Sequence, residues 1–199
     1  MATSIPYTYP SSALEEFAVP LASYLQTHPT LDGLVVSALI FHPGSSSSTS
    51  DSRRLLLIQR AATDGFPLKW ECPGGGAEQA DATILGSLCR EVGEETGLKV
   101  TKVLRKSDAL DEWVTREGGR WRKITFVVEV EAEPLVDDTQ KRGNKTNDAP
   151  PPQVMLNPEE HQDFYWASLD EVQNCRFDDG RDIDFAYDAQ RGTILELFD

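Results

Sequence analysis

Three glutamates with helical spacing are the residues of this 199-residue chain best suited to chemistry. They are Glu91, Glu94 and Glu95, and Arg90 stands directly before them. On a helix these spacings place the carboxylates on one face, where Glu91 and Glu95 repel each other by about 0.2–0.5 kcal/mol. A divalent cation would remove that repulsion, because Mg²⁺ prefers carboxylate and carbonyl oxygens and brings phosphate oxygens with it.

The stretch from Trp70 to Glu78, followed by Arg90 to Leu98, resembles the Nudix box. In that family the motif reads Gly, five residues, Glu, seven residues, Arg-Glu-apolar-x-Glu-Glu-x-Gly-apolar. The second half matches without a substitution, and Pro73-Gly74-Gly75 stands before it. A solvated acidic helix after a turn would explain neither the glycines nor the spacing. The layout is most similar to fungal Nudix proteins of unassigned substrate.

One position departs from the family pattern. Counting back from Arg90, the first Glu of the motif falls at Ala82, and counting from Gly76 gives the same position. Counting from Gly75 instead gives Asp81, with one extra residue before Arg90. Asp81 then either takes the place of the Glu or caps the N-terminus of the following helix, and we prefer the cap.

The resemblance implies hydrolysis of a diphosphate bond with Mg²⁺, for which Mn²⁺ can substitute. It implies that the metal ligands are Gly74, through its carbonyl, and Glu91, Glu94 and Glu95. Arg90 precedes Glu94 by four residues and is expected to hold that carboxylate in place. In the family the general base is either a glutamate of the box or one from a distant loop.

Glu159 and Glu160, before the strand at 164–166, lie where relatives often supply a further carboxylate, although a solvated turn is the alternative. The substrate-side candidates rest on weaker signals. Arg60 follows a strand and could meet a phosphate, or is a surface charge. Glu78 is either a supporting acid or a simple loop charge.

Tryptophans supply further candidates for the substrate side. Trp70 is a base-stacking residue or, more commonly for such a position, a core anchor. Trp113 and Trp121 are base platforms or interface residues, and the sequence does not choose between these roles.

Composition restricts the partners of the chain. The formal net charge is −14, and the best basic clusters are Arg53-Arg54 and Arg120 with Arg122-Lys123. Long nucleic acid is therefore not expected as a partner, whereas a small anionic substrate remains compatible with a bound metal. Three cysteines without a CxxC motif indicate a reducing compartment. We expect a cytoplasmic protein without a membrane span or signal peptide.

The pattern of strands and helices indicates one α/β domain, and the Nudix resemblance implies a Nudix-like α/β/α sandwich with a mixed β-sheet between helices. Residues 1–32 are expected to form an arm, extended over 1–20, and a short helix at 21–26 that packs on the body or supports a homodimer. The Nudix domain is expected to span 33–199, with flexible insertions at about 44–53 and 136–154. A helix is predicted from about 82 to 96, ended by Gly97.

The sequence thus predicts a divalent-metal-dependent diphosphatase, or pyrophosphohydrolase, for a small nucleoside diphosphate-X substrate. One alternative is a Nudix-fold module that senses or scaffolds nucleotides with little catalysis. Another is hydrolysis of a non-nucleoside diphosphate, for example an isoprenoid one. Isomerisation of an isoprenoid diphosphate also uses this fold, but it would need a Cys and a Glu facing the substrate, and Cys72 and Cys89 are poorly placed.

Overall fold

Runs of β-branched and aliphatic residues build two sheets in the computed structural model, which describes residues 7–10, 12–41, 53–131 and 151–198. The strands are β1 (Gly33–Ile40), β2 (Leu55–Arg60), β3 (Trp70–Glu71), β4 (Gly74–Gly76), β5 (Val100–Lys106), β6 (Asp111–Val114), β7 (Arg120–Val130) and β8 (His161–Ala167). The helices are α1 (Leu21–Thr27), α2 (Ile84–Thr96), α3 (Leu169–Asn174) and α4 (Asp188–Phe198).

The larger sheet is mixed. Its strands run in the order β4-β1-β7-β5, with β6 also paired to β7. Strands β1 and β7 are parallel, while β4, β5 and β6 pair in antiparallel fashion. A second, antiparallel sheet has the order β3-β2-β8. Strands β3 and β4 belong to different sheets but follow each other in the chain, separated by Cys72 and Pro73.

Two hydrophobic clusters lie on opposite sides of the sheets, which confirms the predicted α/β sandwich. The first contains the apolar face of α2, including Leu85, Leu88 and Val92, against Val36 and Phe126. The second joins the other faces of the sheets to the C-terminal helices. The members of this second cluster include Leu39, Val127, Val172, Leu197 and Phe198.

The N-terminal segment covers the first cluster. The stretch predicted to be extended instead contains a 3₁₀-helix at Ser12–Phe17, so the prediction is wrong over those residues. Leu14 and Phe17 are buried, and the Phe17 ring packs on Phe126 with 5.3 Å between centroids. Burial of these two apolar side chains fixes the helical turn. The insertions predicted at about 44–53 and 136–154 fall mainly on 42–52 and 132–150, outside the described residues.

Helix α2 begins two residues later than predicted and is not capped by Asp81. Thr83 is the N-cap, because its hydroxyl accepts a hydrogen bond from the Gly86 amide at 2.9 Å. The helix ends at Thr96, and Gly97 adopts the left-handed conformation with φ of 69°, as predicted. The Asp81 carboxylate is occupied by another partner, described below.

The three glycines of β4 make a testable contrast. Gly74 has φ of 150°, and a Cβ there would lie 2.1 Å from the Val36 carbonyl oxygen. We expect Gly74→Ala to reduce the free energy of unfolding by about 3 kcal/mol or more, because both the backbone and β1 would have to move. A Cβ at Gly76 meets nothing within 4 Å, so Gly76→Ala is the matched control. Urea denaturation measures both, and equal midpoints would contradict this account of β4.

Candidate functional site

The acidic residues of α2 divide between the interior and the solvent. Because Leu85, Leu88 and Val92 are buried, the rotation of the helix is fixed. Glu95 then faces inward and is 5% exposed, whereas the side chain of Glu94 is 56% exposed. The three glutamates are therefore not equivalent, although their spacing made them look so.

Strand β4 approaches the helix closely enough to contact its carboxylates. The Gly74 amide donates to Glu95 Oε2 at 2.6 Å. A Cβ at Gly75 would lie 2.7 Å from the Glu91 carboxyl carbon, so a larger residue would displace that side chain. The glycines allow the chain to pass beside the acidic face of α2, which brings Gly74, Glu91 and Glu95 together.

Arg90 links the loop to the helix. Its Nη1 lies 2.9 Å from Glu94 Oε2 and 3.0 Å from Glu91 Oε1. Its Nη2 donates to the Gly76 carbonyl at 3.0 Å. The predicted contact between Arg90 and Glu94 is therefore present, and the same guanidinium also holds β4.

Asp81 is the further partner of Arg90. Its two carboxylate oxygens accept hydrogen bonds from Arg90 Nε at 3.0 Å and Nη2 at 3.1 Å, a fork geometry that strengthens the pair. Burial opposes ionisation of Asp81, but hydrogen bonds from Arg90, Ser87 and the Glu78 amide, together with the charge of Arg90, outweigh it and the pKa of Asp81 is lowered. Ala82, at the position of the first Glu of the family motif, is exposed.

A buried polar chain extends from Glu95 into the smaller sheet. His161 Nε2 lies 3.8 Å from Glu95 Oε1 and 3.2 Å from Glu71 Oε1. Glu71 in turn accepts a hydrogen bond from Arg60, which also pairs with Asp64 at 2.7 Å. Burial opposes the charge of Arg60, but its carboxylate partners outweigh this and raise its pKa. Arg60 is thus held by two carboxylates and is neither a surface charge nor a group left open for a phosphate.

Sequence reasoning missed Glu71 and His161. Glu71 lies three residues before Gly74, inside the stretch that resembles the Nudix box, and this position was the one available signal. His161 carries no local sequence signal, because its contact with Glu71 joins residues ninety positions apart.

The turn before β8 carries the second acidic pair. The amides of Glu160 and His161 donate to the Asn157 carbonyl at 3.1 and 2.8 Å. Candidate ligand atoms of Glu95, Glu160 and His161 all lie within 4.8 Å of one another. Of the predicted pair Glu159 and Glu160, only Glu160 belongs to this cluster. Glu94, which was predicted as a metal ligand, is not among its members either.

Trp70 and Glu78, the two weaker candidates for substrate binding, lie in different environments, because one is buried and the other is exposed. The Trp70 side chain is 2% exposed and packs edge-on against Phe177 with centroids 4.8 Å apart. The base-stacking role for Trp70 is therefore wrong, because the ring is enclosed by the second hydrophobic cluster. Glu78 is exposed, and its carboxylate lies 4.0 Å from Arg90. Glu78 is placed at the rim of the site.

The buried carboxylates resist ionisation when no cation is present. Burial, reinforced by the charges of Glu71, Glu91 and Glu160, raises the pKa of Glu95 to about 9, against the lowering effect of the Gly74 amide. Burial likewise raises the pKa of Glu91, and the Arg90 charge opposes that shift. Two clustered carboxyl groups that are costly to ionise indicate a site completed by positive charge.

The donor set fits a hard divalent cation. It offers carboxylate oxygens from Glu91, Glu95 and Glu160 beside a glycine strand that a Cβ would obstruct. His161 Nδ1 is buried without a hydrogen-bond partner among the described residues, so this imidazole has unused capacity. Thiol chemistry is not supported, because burial raises the pKa of Cys72 and of Cys89 to about 12.

Comparison with known proteins identifies the family. The NUDIX domain family matches residues 42–186, and the chain belongs to the Nudix family. Solved structures with this fold include the MutT protein of Methanosarcina mazei Go1, at 21% identity and TM-score 0.54, over 83% of this chain and 91% of that one. The MutT NUDIX hydrolase of Burkholderia pseudomallei has 19% identity and TM-score 0.50, over 83% and 97%.

A further similar structure belongs to a two-function protein. It is the bifunctional NMN adenylyltransferase/ADP ribose pyrophosphatase of Francisella tularensis, at 18% identity and TM-score 0.53, over 89% of this chain and 44% of that one. These likenesses establish the fold. A search of curated proteins gave no significant match. Within the described residues, no helix has the length and apolar character needed to cross a membrane.

We expect the ion pair between Asp81 and Arg90 to stabilise the folded protein. We expect Asp81→Ala to reduce the free energy of unfolding by about 1.5–3 kcal/mol, because the partly buried guanidinium of Arg90 loses a bidentate carboxylate partner. Glu78→Ala removes a carboxylate from the same loop, but its exposed pair with Arg90 is long, so a change within about 0.5 kcal/mol is expected. Chemical denaturation at pH 7 compares the two; equal losses would contradict the role of Asp81.

The raised pKa of Glu95 makes metal-free stability depend on pH. Its neutral form is favoured in the folded protein, so its contribution is complete below about pH 4.5 and is lost as pH rises towards about 9. In excess chelator we expect wild type to lose about 1–3 kcal/mol relative to Glu95→Gln between pH 6 and 9. Glu78→Gln should follow wild type. Parallel curves for wild type and Glu95→Gln would contradict the assignment.

Proposed function

We propose that the protein is a divalent-metal-dependent hydrolase that cleaves the diphosphate bond of a small nucleoside diphosphate-X substrate. The observation that carries this proposal is the cluster of Glu95, Glu160 and His161 beside Glu91 and the Gly74 strand. Membership of the Nudix family supports pyrophosphohydrolase chemistry. Mg²⁺ is the proposed cofactor, since the oxygen-rich donor set suits a hard cation.

The residues divide the work of the proposed reaction. Glu91, Glu95 and the Gly74 carbonyl would hold the cation, with Glu94 on the solvent side. When bound, such an ion neutralises diphosphate oxygens and lowers the pKa of bound water. Arg90 fixes Glu91 and Glu94 relative to β4 through contacts of 2.9–3.0 Å. His161 and Glu71 support the inner side of Glu95.

Glu160 is the proposed general base. It is exposed and lies within reach of the buried cluster, so it can exchange protons with solvent. In the proposed step, water attacks one phosphorus and gives a proton to Glu160, while the bond from that phosphorus to the bridging oxygen breaks. The products are two phosphorylated compounds, or a monophosphate with orthophosphate or pyrophosphate. Glu94 is less available as a base, because it is paired with Arg90.

A module that binds nucleotides without turnover is the second candidate. The exposed Ala82, which supplies no carboxylate at the first Glu position, favours it. Retention of the Arg90 contacts through Asp81 supports the hydrolase, since the acidic face of α2 remains fixed without that Glu.

A mass-spectrometric screen of some tens of diphosphate compounds with Mg²⁺ tests the hydrolase. We expect wild type to cleave at least one compound, and Glu94→Gln/Glu95→Gln to lose at least ~100-fold in rate. Glu160→Gln should lower kcat by roughly 10²–10⁴-fold, while its neighbour Glu159→Gln, the matched control, stays within about threefold. Binding without turnover would favour the sensing module. Equal losses in Glu159→Gln and Glu160→Gln would remove the base assignment.

A further inference from the structure

Lys123 is a buried cation outside the proposed metal cluster. It lies on β7 and is 7% exposed, on the face opposite Ile124 and Phe126, which belong to the first hydrophobic cluster. In the described part of the chain no carboxylate lies within 4.0 Å of its ammonium group, which lies 4.6 Å from the centroid of the Tyr187 ring. A buried ammonium without an anion is unfavourable unless something else supplies the charge.

Sheet register places Lys123 near the glycine strand. Val35 on β1 is paired with Gly76 on one side and with Lys123 on the other. Two strand spacings therefore separate Gly76 from Lys123, roughly 10 Å across the sheet. Gly76 is the residue whose carbonyl Arg90 binds. A group attached to a diphosphate at the proposed metal centre could extend over β1 to Lys123.

Gln190 is a second buried polar group without partners. It is 4% exposed in the first turn of α4, and neither its amide nitrogen nor its amide oxygen has a hydrogen-bond partner among the described residues. The Cys72 thiol lies beside both side chains: Gln190 is near enough for a weak contact with the sulfur, which is a poor acceptor and does not replace an oxygen partner, and the charge of Lys123 acts on the same thiol. Tyr187, whose ring contacts the Lys123 ammonium, also accepts at its backbone carbonyl a hydrogen bond from the backbone N–H of Gln190 at 3.1 Å. Gln190 and Lys123 therefore both border the Cys72 thiol.

Aromatic side chains border the same place. Trp121 precedes Lys123 by two residues on β7, so the two side chains share a face, and Trp113 pairs directly with Trp121. Phe66 is 46% exposed, and its ring centroid lies 5.5 Å from that of Tyr187. Asp111 is the cross-strand neighbour of Lys123, yet its carboxylate is not within 4.0 Å of the ammonium. The surroundings offer flat contact surface but leave the charge of Lys123 uncompensated.

We propose that Lys123 and Gln190 form a specificity subsite for a second anionic group, a phosphate or carboxylate that the substrate carries outside its diphosphate, on the nucleoside or on X. This inference rests on the proposed function and narrows its substrate class. An anion would compensate the ammonium and accept from the Gln190 amide nitrogen, which no neutral X achieves. In a chain of net charge −14, an unpaired buried cation is a specific attraction for such a group. Apolar X groups, such as isoprenoids, would leave both side chains unsatisfied.

Matched diphosphates that differ by one phosphate test the subsite. The probes are NAD⁺ with NADP⁺, and dephospho-coenzyme A with coenzyme A. Binding is measured by calorimetry with Mg²⁺ in the Glu95→Gln background, so that turnover does not interfere. We expect the member with the extra phosphate to bind at least tenfold more tightly in one or both pairs. Lys123→Met should reduce that ratio to within threefold of unity, and Gln190→Leu should lower it as well.

The control variant is Lys102→Met. It removes the same charge from an exposed position on β5, 4.0 Å from Glu129, and should leave the ratio unchanged. Equal affinity for both members of both pairs, no binding of any of the four at 1 mM, or a ratio that persists in both Lys123→Met and Gln190→Leu would overturn the subsite. Hydrolysis of another diphosphate by wild type would then leave the proposed function standing. Conversely, a Lys123-dependent ratio without turnover of any compound would retain the subsite and refute the hydrolase.

Discussion

The Arg90 guanidinium is the interaction on which the site depends. It contacts two glutamates of its own helix, the carboxylate of Asp81 and the backbone of β4, with distances between 2.9 and 3.1 Å. Without it, the acidic face of α2 would repel itself and the glycine strand would lose its link to the helix. A single planar group with donors in fixed directions can satisfy these partners together, which a lysine could not.

Positive charge compensates the carboxylates less completely in the interior than around Arg90. This difference distinguishes the carboxylates that support the site from the one that is expected to bind a cation. Arg90 neutralises the outer carboxylates, but Glu95 and Glu71 share His161 in a buried environment. Arg60 pairs with Glu71 and is itself shared with Asp64. Glu95 is left with a backbone amide and a raised pKa. The protein thus maintains one carboxyl group in an environment that a cation would improve.

Sequence patterns predicted the local parts of this arrangement well. The spacing of Leu85, Leu88 and Val92 gave the buried side of α2, and Gly97 gave its end, because both follow from helix geometry. The Nudix resemblance led to the fold. The start of α2 was misplaced, since both Asp81 and Thr83 suit an N-cap and the carboxylate of Asp81 is taken by Arg90.

Contacts between distant strands were beyond local patterns. Glu71 and His161 meet because β3 and β8 both pair with β2. The basic cluster of Arg122 and Lys123 looked uniform in the sequence, but strand alternation sends its members to opposite faces. Arg122 binds Glu112 and Tyr24 on one face, and Lys123 is buried on the other.

Residues 131 and 155 are held at neighbouring points around the end of α2. The Glu131 amide donates to the Lys99 carbonyl at 2.8 Å, and the Met155 amide donates to the Thr96 carbonyl at 2.8 Å. Both contacts are hydrogen bonds between backbone groups, so they do not depend on the identity of the side chains in the intervening sequence. A foreign peptide or reporter domain spliced between 131 and 155 would keep its two junctions close together. This makes the position suitable for attaching cargo to the protein while the carboxylate at 95 stays in place.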